Sequence, residues 1–122
     1  MKGYNMENGP MGKVYFTLTG TKHYFGTDFL KPGMKLQLRK EPDNAYDKEA
    51  ILVNMEGLGK IGYVANSPYT VIGESMSGGR LYDKIGDEVI GEVVFVTTQG
   101  ILCRVCRKSL LFQKKEKPIW EE

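Results

Sequence analysis

The stretch that most constrains the fold is Leu38 to Asn54, LRKEPDNAYDKEAILVN. Leu36 with Leu38 on one side, and Ile51 with Val53 on the other, alternate with the period of two that marks half-buried strands. Lys40 to Lys48 between them is crowded with charge and turn formers. Pro42 cannot donate to a sheet ladder, and Asp43 and Asn44 readily fold their side chains onto nearby backbone. A polar loop held between two core strands is where function is often displayed. Tyr46 beside Asp47 places a stacking ring next to an acceptor-only carboxylate.

Further alternating runs repeat the strand signal. Lys13–Thr19 sets Val14, Phe16 and Leu18 on one face; Lys35–Arg39, Ala50–Asn54 and Lys60–Val64 follow. Ile85–Thr97 is longer and apolar on both faces, with Val89, Val93 and Phe95 against Ile90, Val94 and Val96. Gly91 in its middle suits a corner at which one strand serves both sides of a small barrel. Gln99-Gly100 then reverses the chain into Ile101–Lys108. One helix is expected from Pro68 to about Ser77, started by Asn66-Ser67-Pro68, burying Ile72 and Met76 and ended by Gly78-Gly79. The sequence therefore predicts a mainly β domain, a barrel of about six strands with one short α-helix.

With 122 residues, 41% of them hydrophobic, one domain can bury a core without staples. The boundaries read as a leader over 1–12, a barrel over 13–112 and a charged tail over 113–122 that includes Trp120. Seventeen basic against 15 acidic residues leave a net charge of +2, so any basic surface must be local. No apolar run follows Met1 and none is long enough to span a bilayer, which points to a cytoplasmic protein with no membrane partner. Cys103 and Cys106 form a lone CxxC that a regular strand points to opposite faces, so they read as buried or half-buried thiols.

A second loop, Gly20-Thr21-Lys22-His23-Tyr24-Phe25-Gly26, carries a cation followed by three rings. One of Tyr24 and Phe25 is expected to cap the barrel core, and exposing the rest needs a reason such as a partner. Single-strand binders pair cations for the phosphates with rings for the bases, each stacked base contributing roughly 1–3 kcal/mol. Lys22, His23, Tyr24, Tyr46 and Tyr63 supply those types. An end binder further needs a group that prefers a hydroxyl to a phosphate, and a carboxylate such as Asp47 accepts from one and repels the other. Against this stands a plainer role, in which Asp47 caps the loop's own amides and Tyr46 packs on the barrel.

Gly20-x-x-x-Tyr24-x-Gly26, then Leu38-x-x-Glu41-Pro42-x-Asn44-x-Tyr46-Asp47-x-x-Ala50-Ile51-x-Val53, then Ile61-Gly62-Tyr63-Val64 together resemble the HIRAN domain, over about Val14 to Val96. The resemblance implies a small OB-like or SH3-like barrel that binds single-stranded DNA at free 3′-hydroxyl ends, in DNA repair or replication-fork processing. It implies Lys22 on backbone phosphate with His23 beside it, Tyr46 stacked on a terminal base, and Asp47 accepting from the 3′-hydroxyl. Asn44 stands where the family's loop also has Asn. Tyr63 and Asn66 match positions that carry a His and a Lys near the phosphates in eukaryotic members. Ala45 replaces a frequent Pro, and Lys22 replaces an Arg, which removes a bidentate phosphate contact.

No G-x-x-x-x-G-K-[ST] motor motif is present, so a binding module without cofactor is expected rather than an enzyme, with any DNA-processing protein acting in trans. The alternatives are a protein-interaction barrel, and a metal-dependent enzyme using Asp43, Asp47 and Glu49.

Overall fold

The computed structural model describes residues 13–106. The expected leader (1–12), the tail from residue 113 with Trp120, and the end of the last strand at Lys108 lie outside the described residues. Six strands form a closed barrel: β1 (Val14–Thr19), β2 (Lys35–Glu41), β3 (Ala50–Met55), β4 (Gly59–Val64), β5 (Glu88–Thr97) and β6 (Gly100–Val105). Their order round the wall is β1-β4-β3-β2-β5-β6, with β6 closing back onto β1, and every pairing is antiparallel. Phe16, Leu18, Leu36, Leu38, Ile51, Val53, Ile61, Val93 and Ile101 fill the interior, all essentially inaccessible. These are the inward members of the alternating runs, so the sequence pattern and the core coincide.

β5 is shared as expected. Lys35–Arg39 of β2 pairs with its first half, and β6 pairs with it from Gly91 to Thr97. Gly91 stands at the handover, where a Cβ would lie 3.0 Å from the Arg104 carbonyl oxygen, 3.2 Å from Leu38 Cδ1 and 3.3 Å from Phe16 Cε1. The strand is apolar on both faces, as read from the sequence, but it is not buried on both: Ile90, Phe95 and Val96 are exposed. A bulge leaves Val94 without a register partner, since Val93 faces Cys103 and Phe95 faces Leu102. That extra residue reverses the parity and turns Phe95 outward, away from the face it would share with Val93 in a regular strand.

The expected helix over Pro68–Ser77 is also absent. Ser67 starts a single turn, its carbonyl accepting from Thr70 and Val71. Two of the following donors then go to β1 rather than along a helix, Ile72 N–H to Thr17 Oγ1 and Met76 N–H to the Tyr15 carbonyl, while Ser75 N–H makes a local turn to the Ile72 carbonyl. Gly73 takes a left-handed φ of 53°, which no α-helix contains. The buried Thr17 and Ser75 hydroxyls meet at 2.9 Å and fasten this strap to the barrel. Helix formation begins where the sequence had suggested it would stop: α1 spans Gly78–Tyr82, with Ser77 as its cap, and Leu81 enters the core. Met76 packs against the core from a partly buried position, while Ile72 is half-buried.

Candidate nucleic-acid interface

The loop between β2 and β3 is built around Asn44. Its Oδ1 accepts from the Tyr46 and Asp47 amides at 2.8 and 3.0 Å, the Asx geometry its residue type favours. Its Nδ2 donates to Glu41 Oε1 at 3.0 Å, tying the turn to the end of β2. Asp47 is fixed from two sides: Oδ1 accepts from the Glu49 amide and Oδ2 from Asn66 Nδ2, both at 2.9 Å. Asn66 Oδ1 in turn accepts from the Gly79 amide at the start of α1 at 2.7 Å. So Asp47 does cap its own loop, as the plainer role requires, yet two of its roughly four lone-pair sites stay open. Tyr46 does not pack on the barrel; its ring is 97% exposed.

These groups border an open groove of about 660 Å³. Tyr24, Asn44, Tyr46, Asp47, Tyr63 and Asn66, six expected site residues from three separate segments, line it together. Ser67 and Thr70 add hydroxyls on the side of the strap. Lys22 and His23 do not line the groove; they are exposed on the 3₁₀ turn Thr21–His23 that leads into Tyr24. Neither Tyr24 nor Phe25 caps the core, since they are 39% and 52% exposed. Leu30 is the buried hydrophobic residue of that connection, Thr21 is buried at its start, and Phe29 packs partly buried against the core.

Glu41 and Lys60 do not line the groove either, but both are bonded to Tyr63, which does, and neither was expected there. Tyr63 donates its hydroxyl to Glu41 Oε1 at 2.8 Å and accepts from Lys60 Nζ at 3.1 Å. The Lys60 ammonium also lies 5.1 Å from the Tyr63 ring centre and 5.7 Å from that of Tyr24, within cation–π range. In a regular strand Lys60 and Tyr63 point to opposite faces. Here Val53 pairs with Gly62 and Asn54 with Lys60, so Ile61 is an extra residue that brings the two onto one face. Alternation alone therefore hides this cation. Partial burial pushes the Glu41 carboxyl up, but the hydrogen bonds from Asn44 and Tyr63, with Lys60 nearby, outweigh it and hold it below the usual carboxylate range. The bond to Tyr63 raises the Lys60 ammonium above its ordinary value. Burial raises the Tyr63 phenol.

Other candidates lie apart from this groove. Asp43, Asp47 and Glu49 do not converge, and among the described residues no three His, Cys, Asp or Glu side chains come together as a metal-binding group. Cys103 is buried in β6, its thiol pushed up to about 12 by desolvation, while Cys106 is half-buried and both are free. Among the described residues no helix is long and apolar enough to cross a membrane.

A closed six-strand barrel with a ring-lined polar groove defines a small β-barrel domain of the OB-like kind. Residues 11–68 match the family model of the HIRAN domain, which takes in every motif that suggested it and stops short of the expected limit near Val96. A crystal structure of a protein from Lactobacillus plantarum is similar in fold, with a TM-score of 0.52 at 24% identity over 77% of this chain and 93% of that one. The crystal structure of the HIRAN domain of human HLTF also gives a TM-score of 0.52, at 20% identity over 87% of this chain and 88% of that one. No curated protein matches the chain.

Proposed function

We propose that the groove binds single-stranded DNA at a free 3′-hydroxyl end, as part of DNA repair or fork processing. One observation carries this reading most directly: the Tyr46 ring is almost wholly in solvent at the mouth of a groove whose wall holds a fixed Asp47. A tyrosine held there contributes little to folding, but it offers a nucleobase a stacking face worth roughly 1–3 kcal/mol. Asp47, already oriented by Asn66 and the Glu49 amide, has lone pairs left for a terminal hydroxyl and repels a phosphate in the same place. Tyr24 and Tyr63 give further ring surface, and Lys22 on the adjoining turn meets the backbone as it leaves the groove. The family match over residues 11–68 supports the reading, because the residues concerned fall within it. The barrel acts as a binding module, and a DNA-processing protein acting in trans carries out any chemistry.

The test compares a fluorescent single strand bearing a 3′-hydroxyl with the same strand phosphorylated there and with a circular strand. Tighter binding of the hydroxyl-ended strand is expected. Equal affinity for all three removes end recognition, and no salt-dependent affinity for any of them removes single-strand binding altogether.

A further inference from the structure

The Lys60 ammonium is tied to the groove through its rings, yet only one of its three N–H donors has an acceptor among the described residues, the Tyr63 hydroxyl. Two other cations near this end, Lys40 and Lys22, are placed differently, and Lys48 is exposed in the loop beside Asp47. Lys40 lies over Tyr82, away from the groove, and Lys22 projects from the 3₁₀ turn. Lys60 stands within 6 Å of two rings, Tyr24 and Tyr63, that both form groove wall. A cation between two aromatic faces sits where a strand with a base among those rings must pass its backbone.

We infer that Lys60, behind the Tyr24 and Tyr63 rings, is a second phosphate contact beside the groove, held in place by Tyr63 and Glu41. It takes the internucleotide phosphate next to the stacked terminal base, while Lys22 meets the backbone further on. This rests on the single-strand reading above. The chain Lys60 Nζ to Tyr63 Oη to Glu41 Oε1, with Asn44 Nδ2 on the same oxygen, joins this cation to the turn that carries Tyr46 and Asp47. The phosphate and the base are thereby read by one hydrogen-bonded unit. Tyr63 acts through Lys60 as a positioning residue.

The experiment measures affinity of the full chain for a 3′-hydroxyl single strand across salt concentration, for wild type, Lys60→Gln, Lys60→Arg and Tyr63→Phe, with melting curves for each. A lost phosphate contact lowers the magnitude of the salt slope by about 0.7, which is about fivefold in affinity at 0.1 M relative to 1 M salt. Lys60→Gln should show that change, and Lys60→Arg should keep the wild-type slope. Tyr63→Phe should lose part of the affinity at low salt and little at 1 M. A Lys60→Gln protein that melts like wild type and keeps the full slope overturns the assignment while leaving single-strand binding intact. A wild-type protein with no salt-dependent binding overturns both. If Lys60→Arg falls as far as Lys60→Gln, the side chain acts by its shape and not by its charge, and the assignment is again wrong.

Discussion

Asn66 donates its amide to Asp47 Oδ2 at 2.9 Å, joining the loop before β3 to the segment after β4. The same side chain accepts from the Gly79 amide, so one asparagine links the recognition loop to the start of α1. Asn66→Ala removes both bonds. Because the site is exposed, the cost should be about 1 kcal/mol, a drop of several degrees in Tm. The larger effect is expected in binding, since Asp47 loses the partner that orients it. Discrimination between hydroxyl and phosphate ends should shrink more than stability does. Calorimetry together with end-specific titrations checks this, and unchanged discrimination would show that the Glu49 amide alone suffices to fix Asp47.

Two glycines in the wall set up a graded test of packing. At Gly91 the nearest atoms to an added Cβ are 3.0 Å or more away, but at Gly62 the Thr19 carbonyl oxygen is 2.5 Å and Leu18 Cδ1 2.8 Å away. Gly62 lies where β4 crosses close to the end of β1, and a backbone oxygen cannot yield as a side chain can. Gly62→Ala should therefore destabilise by about 3 kcal/mol, and Gly91→Ala by about 1 kcal/mol. Gly91→Val, with two more methyl groups against Leu38 and Phe16, should approach the Gly62→Ala value. Denaturant melts rank the three. A Gly91→Val protein melting within a degree of wild type would remove the corner role.

Much of this architecture was legible in the sequence because barrel strands write their faces as simple alternation. Phe16 with Leu18, Leu36 with Leu38, and Ile51 with Val53 declare themselves as core, and all are buried. The errors arise where an extra residue breaks parity. The bulge at Ile61 brings Lys60 round to Tyr63, and the one at Val94 puts Phe95 outside. The mistaken helix has a different cause. Ser67-Pro68 is a real start signal, but Thr17 and Tyr15 on β1 take the donors that would continue the turn, and that competition is tertiary. In the groove, the Asn44–Asp47 loop was legible because its turn chemistry is local. Glu41 was not, since Asn44 is its local neighbour but Tyr63 reaches it only once β2, β3 and β4 are side by side.

Acid should loosen this network before it unfolds the barrel. The Glu41 carboxyl is held below its ordinary value of 4.5 by bonds that favour the charged form. Its contribution is therefore full above that value and is lost as pH falls through the lower, folded-state value. Glu92, bonded to Lys35 and Arg104, is lowered for a similar reason and follows the same course. Glu41→Gln should cost stability at pH 6 and progressively less toward pH 3, where the wild-type carboxyl is itself protonated. Paired thermal melts over that range measure the convergence. A constant gap between the two proteins would mean that Glu41 acts by packing and not by charge.

The sharpest test of function concerns Asp47 and Tyr46, neighbours assigned different tasks. If Asp47 accepts from a terminal 3′-hydroxyl, loss of that charge-assisted bond should cost about 1.5–3 kcal/mol, roughly ten- to a hundredfold in affinity. A terminal phosphate sets two anions together, so wild-type protein should already bind that strand weakly. Asp47→Ala should weaken the hydroxyl-ended strand, nearly abolish the difference between the ends, and leave circular strands bound as before. Because Asp47 also caps the Glu49 amide, Asp47→Asn is the necessary companion: it retains an acceptor for that amide and removes the charge, losing only the bond from Asn66 Nδ2, which then faces an amide NH2. Both variants should lose discrimination, while Asp47→Asn keeps more of the loop's stability. Tyr46→Ala should weaken hydroxyl- and phosphate-ended strands by the same factor, since stacking does not sense the terminus, and should leave Tm unchanged because the ring is in solvent. If Asp47→Asn still separates the two ends as wild type does, the carboxylate is a loop cap alone and end recognition lies elsewhere.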